Sequence, residues 1–329
     1  MKEFWLRAVF LCDSFVDTRL RAAYPVPPMR ASLTSRDSEH IALADERPLL
    51  GLNSSRDSEL LLVTLRTAVA ISQKIMQALS RQRVVDRKEN DTPVTVTDRA
   101  CEDLAREMYS DAFGTSVAFM GEERGGEFAK DGYCVAIDPI DGTWGFIGDT
   151  GTYGTTINVF KDGKIHLGLV AQPSMSEITY AIGNEPTRLL RATRWGQDPS
   201  WQTMPQMTEQ QSIIVNMQAG AKDASLMAAL HNAWGKKEIQ QVRSPGGSPA
   251  VGMAEVAKGS GMFASNWKQP ATPYDLAAAT KIIENAGGAT EDLDGHPIDP
   301  VGHAGIFVAG LRGEHRAVVR RILAGAAHA

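Results

Sequence analysis

Features that would place a protein in a special class are scarce in this chain. It has only three cysteines in 329 residues and no CxxC pair, so it can build neither a disulfide framework nor a zinc site of that pattern. Such sparse cysteine is typical of a reducing compartment, and we expect a cytoplasmic protein. The formal net charge is −5 and the sequence pI is about 5.8, which gives no electrostatic signature of binding to nucleic acid or to an anionic membrane.

Long apolar runs are missing as well. The N-terminal segment starts with apolar residues, but Arg7 interrupts them and Asp13 ends them. We therefore expect neither a membrane span nor a secretory signal there, and we predict that residues 1–56 form a disordered or peripheral extension. The hydrophobic content of 43% and the charged content of 22% are ordinary for a globular protein, and the length favours two units.

The order of the predicted elements divides the rest of the chain. A helical period begins at Ser58, and a second helix, with Thr97 as its expected N-cap, precedes five short strands between Val117 and Ile182. This order predicts helices packed on a mostly antiparallel sheet in a first unit, residues 57–190. Strands and helices then alternate, which predicts a second, α/β unit over residues 191–329. The expected fold class is therefore a layered α+β protein.

One hexapeptide, Asp138-Pro139-Ile140-Asp141-Gly142-Thr143, carries the clearest chemistry. It follows an apolar run at 133–137 that predicts a short buried strand. Two carboxylates three residues apart at the end of such a strand face one spot, and the glycine lets the backbone approach a ligand. Carboxylate oxygens suit Mg²⁺, and N–H groups at a loop or helix start suit a phosphate. For the hexapeptide alone, a plain polar turn is the alternative interpretation.

Three further acidic segments accompany the hexapeptide, at 95–98, at 121–123, and at 274–278 followed by 284–288. In this order the four segments resemble the signature of the inositol monophosphatase superfamily, and the resemblance extends over residues 60–323. It implies a layered α-β-α-β-α sugar-phosphatase fold, a homodimer, and lithium-sensitive hydrolysis of a small soluble phosphate monoester. The implied substrates are inositol monophosphate, histidinol phosphate or a sugar phosphate.

The resemblance also implies a metal site for two or three Mg²⁺ ions. Glu122, Asp138 and the main-chain carbonyl of Ile140 would hold the first ion. Asp138, Asp141 and Asp275 would hold the second. Such acceptor-only carboxylates from separate segments are suitable ligands for a hard cation. Taken in isolation, Asp275 would instead be read as the N-cap of the helix that follows it.

The catalytic roles come from the same resemblance. Glu122 and Thr143 would orient the attacking water and help to deprotonate it, and Asp98 would hold the Thr143 hydroxyl in position. The N–H groups of Gly142 and Thr143 would bind the phosphate. Without the resemblance, Asp98 would be a first-turn acid favoured by the helix dipole. Glu123 either supports the metal ligands without binding the metal itself or is simply an exposed acid.

The cues to the substrate point in different directions. Lys268 stands where many family members place an acid that contacts the substrate. A lysine would disfavour a cationic substrate such as histidinol phosphate and would favour a second phosphate or a carboxylate. Arg243 and Ser248 resemble a family segment near the non-reacting part of the substrate. The segment that begins at Lys88 is more similar to the histidinol-phosphatase and nucleotide-phosphatase branches. Lys268 could equally be a solvated surface residue.

Two other hypotheses remain open from the sequence. The same chemistry could act on 3′-phosphoadenosine 5′-phosphate or on a sugar bisphosphate, which Lys268 and Arg243 would favour. A non-catalytic, metal-binding family member is the alternative of another class. It would predict the loss of at least one key residue, and all five of these are present: Glu122, Asp138, Asp141, Thr143 and Asp275.

Overall fold

The computed structural model describes residues 52, 54–79, 85–87, 93–191, 200–203, 212–216 and 221–327. Residues 1–51 and 53 of the predicted N-terminal extension lie outside this part of the chain, as does Lys88. None of the helices in the described ranges has the length and apolar character of a membrane span.

Two long helices cover one face of the first sheet. They are α1 (Ser55–Leu79) and α2 (Val96–Phe113), with a short antiparallel hairpin between them, β1 (Val85–Arg87) and β2 (Pro93–Thr95). Leu60 and Ile71 of α1 and Cys101 of α2 share an apolar cluster with Val135 and Leu167 of the sheet. Burial of this cluster holds α2, and with it the first acidic segment, against the strands.

The first sheet has eight strands within the described ranges. In chain order they are β3 (Val117–Gly121), β4 (Gly125–Gly126), β5 (Tyr133–Asp141), β6 (Gly154–Lys161), β7 (Lys164–Gln172), β8 (Glu177–Ile182), β9 (Arg188–Arg191) and β10 (Ser200–Thr203). A five-residue helix, α3 (Thr143–Ile147), follows β5. The spatial order is β10-β9-β8-β7-β6-β5-β3-β4, and the neighbours are antiparallel except for β3 and β5, which run parallel. The predicted, mostly antiparallel sheet is confirmed.

The second sheet is mixed, and the part of the chain that the structure describes contributes five strands to it. The remaining elements are β11 (Ser212–Asn216), α4 (Ala221–Gly235), β12 (Gln241–Arg243), α5 (Pro249–Ala257), β13 (Met262–Trp267), α6 (Ala277–Asn285), β14 (Ala289–Asp292), β15 (Gly305–Gly310) and α7 (Gly313–Ala327). The strand order is β12-β11-β13-β15-β14, with β11 parallel to both of its neighbours and β15 antiparallel to both of its own.

Helices α5 and α6 lie between the two sheets. Val170 of the first sheet and Phe263 of the second share an apolar cluster with Ala254 and Ala278 of these helices. Gly168 on β7 permits the close approach, because a Cβ there would lie 2.5 Å from the Ala278 carbonyl oxygen. Helices α4 and α7 pack on the outer face of the second sheet. The layers are therefore α-β-α-β-α, which confirms the predicted fold class.

Some local predictions were wrong or incomplete. The N-cap of α2 is Thr95 rather than Thr97, because the Thr95 hydroxyl oxygen accepts the N–H groups of Thr97 (3.1 Å) and Asp98 (3.4 Å). Strands β1, β4, β9, β10 and β14 were not predicted. Strand β10 extends the first sheet although residues 200–203 fall in the second unit as we divided the sequence.

Candidate active site

Parallel pairing of β3 with β5 brings two acidic segments together. Gly121 lies opposite Ile137 in this register. The N–H of Glu122 donates to the Ile137 carbonyl at 3.1 Å, so Glu122, which follows β3, lies beside Asp138 of β5. Their carboxyl groups lie close enough to hydrogen-bond to each other. Asp138 is only 8% exposed.

The hexapeptide forms an irregular end to β5. The register with β6 shifts between Asp138 and Asp141, and the Ile140 N–H turns back to donate to the Asp138 carboxylate at 2.9 Å. The chain then passes through Gly142, whose φ of 84° is left-handed, into α3. This bulge explains how two aspartates of one strand reach the same spot, which an unbroken strand with spacing of three would not allow.

Asp141 connects the hexapeptide to the second unit. Its carboxylate accepts hydrogen bonds from the Ser248 hydroxyl and from the Ala250 N–H, the latter at 3.1 Å. The Ser248 oxygen also caps α5, since it accepts the Val251 N–H at 2.9 Å. In the structure, the Ser248 hydroxyl therefore binds an aspartate and a helix start. Its predicted contact with substrate stays a prediction.

Gly142 fits closely against the loop before α5. A Cβ at this position would lie 2.4 Å from the Ser248 nitrogen, and that nitrogen donates to the Thr152 carbonyl at 2.7 Å. No other residue type could combine this contact with the left-handed φ.

Asp275 lies in a turn before α6. Its carboxylate accepts the Thr272 N–H at 2.5 Å. The N-cap of α6 is Leu276, with no side-chain cap, so the alternative interpretation of Asp275 as the N-cap of this helix does not hold. The turn is fixed to the first sheet because the Tyr274 carbonyl accepts the Thr156 hydroxyl at 2.8 Å.

Burial and mutual repulsion dominate the electrostatics of these acids. Burial raises the pKa of Asp138 well above its ordinary value, and the charges of Glu122 and Asp141 raise it further. Burial likewise raises the pKa of Asp141 to about 7, against two hydrogen bonds from the start of α5 and with added repulsion from Asp275 and Glu122. A divalent cation would offset this repulsion and favour the ionised carboxylates, so the donor set fits such an ion.

Asp98 has different partners from those predicted. Its carboxylate accepts hydrogen bonds from the backbone N–H (2.8 Å) and the hydroxyl of Thr95, which makes it part of a capping box at the start of α2. The Thr143 hydroxyl donates to the Ile140 carbonyl at 3.3 Å. The predicted bond from Thr143 to Asp98 is therefore not formed in the structure. Burial raises the pKa of Asp98 to about 6, with a contribution from the nearby Glu122.

Two of the three predicted substrate cations have partners within the protein. The Lys268 ammonium lies 3.1 Å from the Asp223 carboxylate, which also accepts a hydrogen bond from Asn266 at 2.7 Å. The Arg243 guanidinium donates to the Ser260 carbonyl at 2.6 Å. Asp223 offsets the charge of Lys268, and this weakens the argument that Lys268 selects a second phosphate. Lys88, the third predicted substrate cation, is outside the described residues.

The predicted ligands meet in pairs rather than as a closed cage. The structure describes Glu122, Asp138, Asp141 and Asp275, yet no three of them have ligand atoms within 4.8 Å of one another. Such a trio does exist on the surface loop after β14, where the ligand atoms lie within that distance; its members are Asp292, Asp294 and His296. The hydrogen bonds of that turn account for the trio. The carboxylate of Asp292, the last residue of β14, accepts the N–H groups of Asp294 and His296 at 3.0 and 2.8 Å.

Sequence reasoning missed two buried polar residues beside the site. Glu102 on α2 bonds to the turn that follows Glu122. Asn158 on β6 accepts the N–H of Ala278 at 2.5 Å. The spacing of Glu102 one helical turn after Asp98 was an available signal, whereas nothing local marks Asn158.

Comparison with known proteins identifies the family. A model of the inositol monophosphatase family matches residues 57–324, and the chain therefore belongs to that family, as its four motifs predicted. The bifunctional phosphatase IMPL2, chloroplastic, of Arabidopsis thaliana is 28% identical over 285 residues, which are 83% of this chain and 75% of the relative. A histidinol-phosphatase of Chlorobaculum parvum is 30% identical over 223 residues, 65% of this chain and 78% of the relative.

Solved structures agree on the fold. The extragenic suppressor protein suhB of Bartonella henselae and an IMPase of Thermotoga maritima both give a TM-score of 0.66, with 21% and 20% identity. The match covers 80% of this chain and 98% and 96% of theirs. The chain is thus a phosphatase, a hydrolase of phosphate monoesters, as its family and relatives are.

Proposed function

We propose that the chain is a Mg²⁺-dependent phosphomonoesterase acting on a small phosphate monoester, with water as the attacking group. The observation that carries this proposal is the electrostatic coupling of four acids from three segments. Burial and the charges of Glu122 and Asp141 raise the pKa of Asp138, and Asp275 adds to the rise at Asp141. A divalent cation bound between these acids would offset their mutual repulsion, and this supports a metal site here.

The residues that would hold Mg²⁺ are those assigned from the motifs: Glu122, Asp138, Asp141, Asp275 and the Ile140 carbonyl. When bound, the ions would polarise the phosphate oxygens and lower the pKa of a water molecule. The carboxylates here are acceptor-only groups in their ionised form, which is the chemistry that a hard cation requires. The surface trio after β14 includes none of them.

The remaining roles are played by groups of the protein. The Glu122 carboxylate would accept a proton of the attacking water and orient this water so that a lone pair of its oxygen points toward phosphorus. The Thr143 hydroxyl would accept a hydrogen bond from that water. If the hydroxyl turned away from the Ile140 carbonyl, Asp98 would accept its hydrogen bond and hold it in this orientation. The first N–H groups of α3, at Gly142 and Thr143, would bind phosphate oxygens.

The protein contacts of the cations that we predicted to bind substrate favour a monophosphate over a bisphosphate as the substrate. Lys268 is paired with Asp223 at 3.1 Å, and Arg243 is bonded to a carbonyl at 2.6 Å. A second phosphate would have to compete with these partners. We therefore place histidinol phosphate, inositol monophosphate and sugar phosphates ahead of 3′-phosphoadenosine 5′-phosphate. A homodimer in the cytoplasm, and the division into units at 57–190 and 191–329, remain parts of this proposal.

The test is phosphate release from a panel of four compounds. They are inositol 1-phosphate, histidinol phosphate, fructose 1,6-bisphosphate and 3′-phosphoadenosine 5′-phosphate. Each is assayed with Mg²⁺, with chelator, and with Mg²⁺ plus Li⁺. We expect chelator-sensitive, lithium-inhibited release from a monophosphate. Release that survives chelation would contradict the metal role. If no compound were hydrolysed while Mg²⁺ still raised the thermal midpoint, the non-catalytic hypothesis would take its place.

A further inference from the structure

We propose that Glu102 is a positioning residue that fixes the backbone carrying Glu122. The proposal rests on the proposed function, because it concerns how one of the assigned ligands is held. Glu102 lies on α2 and is fully buried, and its carboxylate accepts hydrogen bonds from Arg106 and from the backbone that follows Glu122. It acts on the turn between β3 and β4.

The Glu102 carboxylate accepts hydrogen bonds from two consecutive N–H groups. The N–H of Glu123 donates to Oε2 at 2.6 Å, and the N–H of Arg124 lies 3.1 Å from Oε1 and 3.2 Å from Oε2. The Arg106 guanidinium donates to Oε1 at 2.9 Å and also to the Gly125 carbonyl at 3.0 Å. One carboxylate and its arginine therefore hold three residues of the turn.

These bonds fix Glu122 from both sides. Its own N–H donates to the Ile137 carbonyl at 3.1 Å, so the strand that leads to Asp138 holds the residue on one side. The next two N–H groups belong to Glu102. Three consecutive N–H groups are thus committed, and the peptide planes around Glu122 have no freedom to turn without losing a buried hydrogen bond.

Gly121 makes room for this arrangement. A Cβ at Gly121 would lie 2.0 Å from the carboxyl carbon of Glu102. The carboxylate therefore occupies the space of a missing side chain directly under the strand end. On the same helix, Asp98 lies one turn earlier and is close enough to Glu122 for their charges to interact. Helix α2 thus supports the backbone after Glu122 at one position and approaches its carboxylate at another.

The arrangement requires a carboxylate rather than an amide. Each oxygen of Glu102 accepts at least two donors. In Glu102→Gln the new NH₂ group would face either Arg106 and the Arg124 N–H, or the N–H groups of Glu123 and Arg124. Both orientations place donor against donor, so rotation of the amide cannot restore the bonds.

The experiment compares Glu102→Gln with Asp103→Asn. Asp103 is the next residue of α2 and binds the Arg124 side chain at 2.8 and 3.0 Å, not its backbone, so it is the matched control. We would measure Mn²⁺ affinity from the electron paramagnetic resonance of the free ion, and hydrogen exchange of amides 122–126 by mass spectrometry. Loss of a residue that orients a ligand typically weakens metal affinity by about 10- to 100-fold.

For Glu102→Gln we expect weakening of at least about tenfold, with faster exchange in the turn, and for Asp103→Asn a change within about twofold. Wild-type affinity and exchange in Glu102→Gln would overturn the proposal, as would an equal loss in Asp103→Asn. If Glu102→Gln failed to fold, Glu102→Asp would take its place, since it keeps the charge but retracts it by one methylene. We expect an intermediate loss there, and wild-type affinity would contradict the proposal.

The outcome also separates this proposal from the proposed function. If the wild-type chain bound Mn²⁺ but hydrolysed nothing, the phosphatase proposal would fail while the affinity ratio of the variants still decided the role of Glu102. If the wild-type chain bound no Mn²⁺, both would be overturned.

Discussion

Asn158 provides a direct test of how the first sheet holds the segment that carries Asp275. The side chain is fully buried in β6. Its Oδ1 accepts the N–H of Ala278 at 2.5 Å, and its Nδ2 donates to the Ala136 carbonyl at 3.0 Å. Because that N–H belongs to the first turn of α6, it has no partner within its own helix. Asn158→Ala would leave it buried and unpaired.

The size of the effect follows from these contacts. An unsatisfied buried donor costs about 1–3 kcal/mol, and the carbonyl at 136 and the space left by the amide add to that cost. We expect a loss of about 3 kcal/mol from a total free energy of unfolding that is typically about 5–15 kcal/mol. The measurement is urea unfolding, read as a lower midpoint at unchanged slope. Because Asp275 lies three residues before Ala278, half-saturation by Mg²⁺ should also shift upward.

Thr156→Val is the matched control for this prediction. It removes the hydroxyl that donates to the Tyr274 carbonyl at 2.8 Å and that accepts a longer bond of 3.4 Å from the Asn158 amide, but this amide remains 3.4 Å from the same carbonyl oxygen. We expect a loss of about 1 kcal/mol, the net value of one hydrogen bond. The reasoning would be refuted if Asn158→Ala cost less than Thr156→Val, or if it cost less than about 0.5 kcal/mol, the usual range of a surface change.

The remaining predictions concern three other positions. Asp138→Asn should abolish phosphate release and leave urea stability equal or higher, since one of several mutually repelling charges is removed; release at the wild-type rate would contradict the metal assignment. Gly142→Ala should lower both activity and stability, because the φ of Gly142 is +84° and a Cβ there would lie 2.4 Å from backbone. The control is Gly132→Ala, at a φ of +70° with nothing within 4 Å of the added Cβ, and it should cost only about 1 kcal/mol. Equal effects of the two substitutions would show that the contact is unimportant. Glu177→Gln should destabilise by about 2 kcal/mol at pH 7. Burial raises the pKa of Glu177, but Lys258 and Arg191 together outweigh it and keep the pKa below its ordinary value. The difference in stability between wild type and variant should therefore be present above the unfolded pKa of about 4.3 and vanish as the pH falls through the folded value. A difference that persists at low pH would rule out these ion pairs as its cause.

Much of the fold was predictable because its signals are local. Short apolar runs marked the strands from Val117 to Ile182. The Asp162-Gly163 dipeptide between β6 and β7 is typical of a hairpin turn, and its φ values are 51° and 72°. The strands that were missed are short, and their polar residues hide the apolar pattern that marks a strand. A strand such as β10 forms because β9 supplies a partner, and sequence pattern alone does not report partners.

The candidate site was predictable in its chemistry and less so in its contacts. The motifs gave the identity of the acids, because carboxylate type and order are visible in a sequence. They did not show that Thr95 would bind Asp98, or that Asp223 would pair with Lys268. Each of these contacts competes with a predicted one for the same donor or charge. Which partner prevails depends on distance in the folded chain.

The contacts that assemble the site join residues far apart in sequence, and this explains why local patterns could not reveal them. Ser248 bonds Asp141 across 107 positions, Thr156 bonds the Tyr274 carbonyl across 118, and Asn158 bonds Ala278 across 120. All three run from the first sheet to the helices between the sheets. Asp141 and Asp275 are therefore held in place by the same packing that closes the two units on each other. Loosening that interface should weaken the site before it unfolds either sheet, because the acids repel one another and these bonds oppose that repulsion.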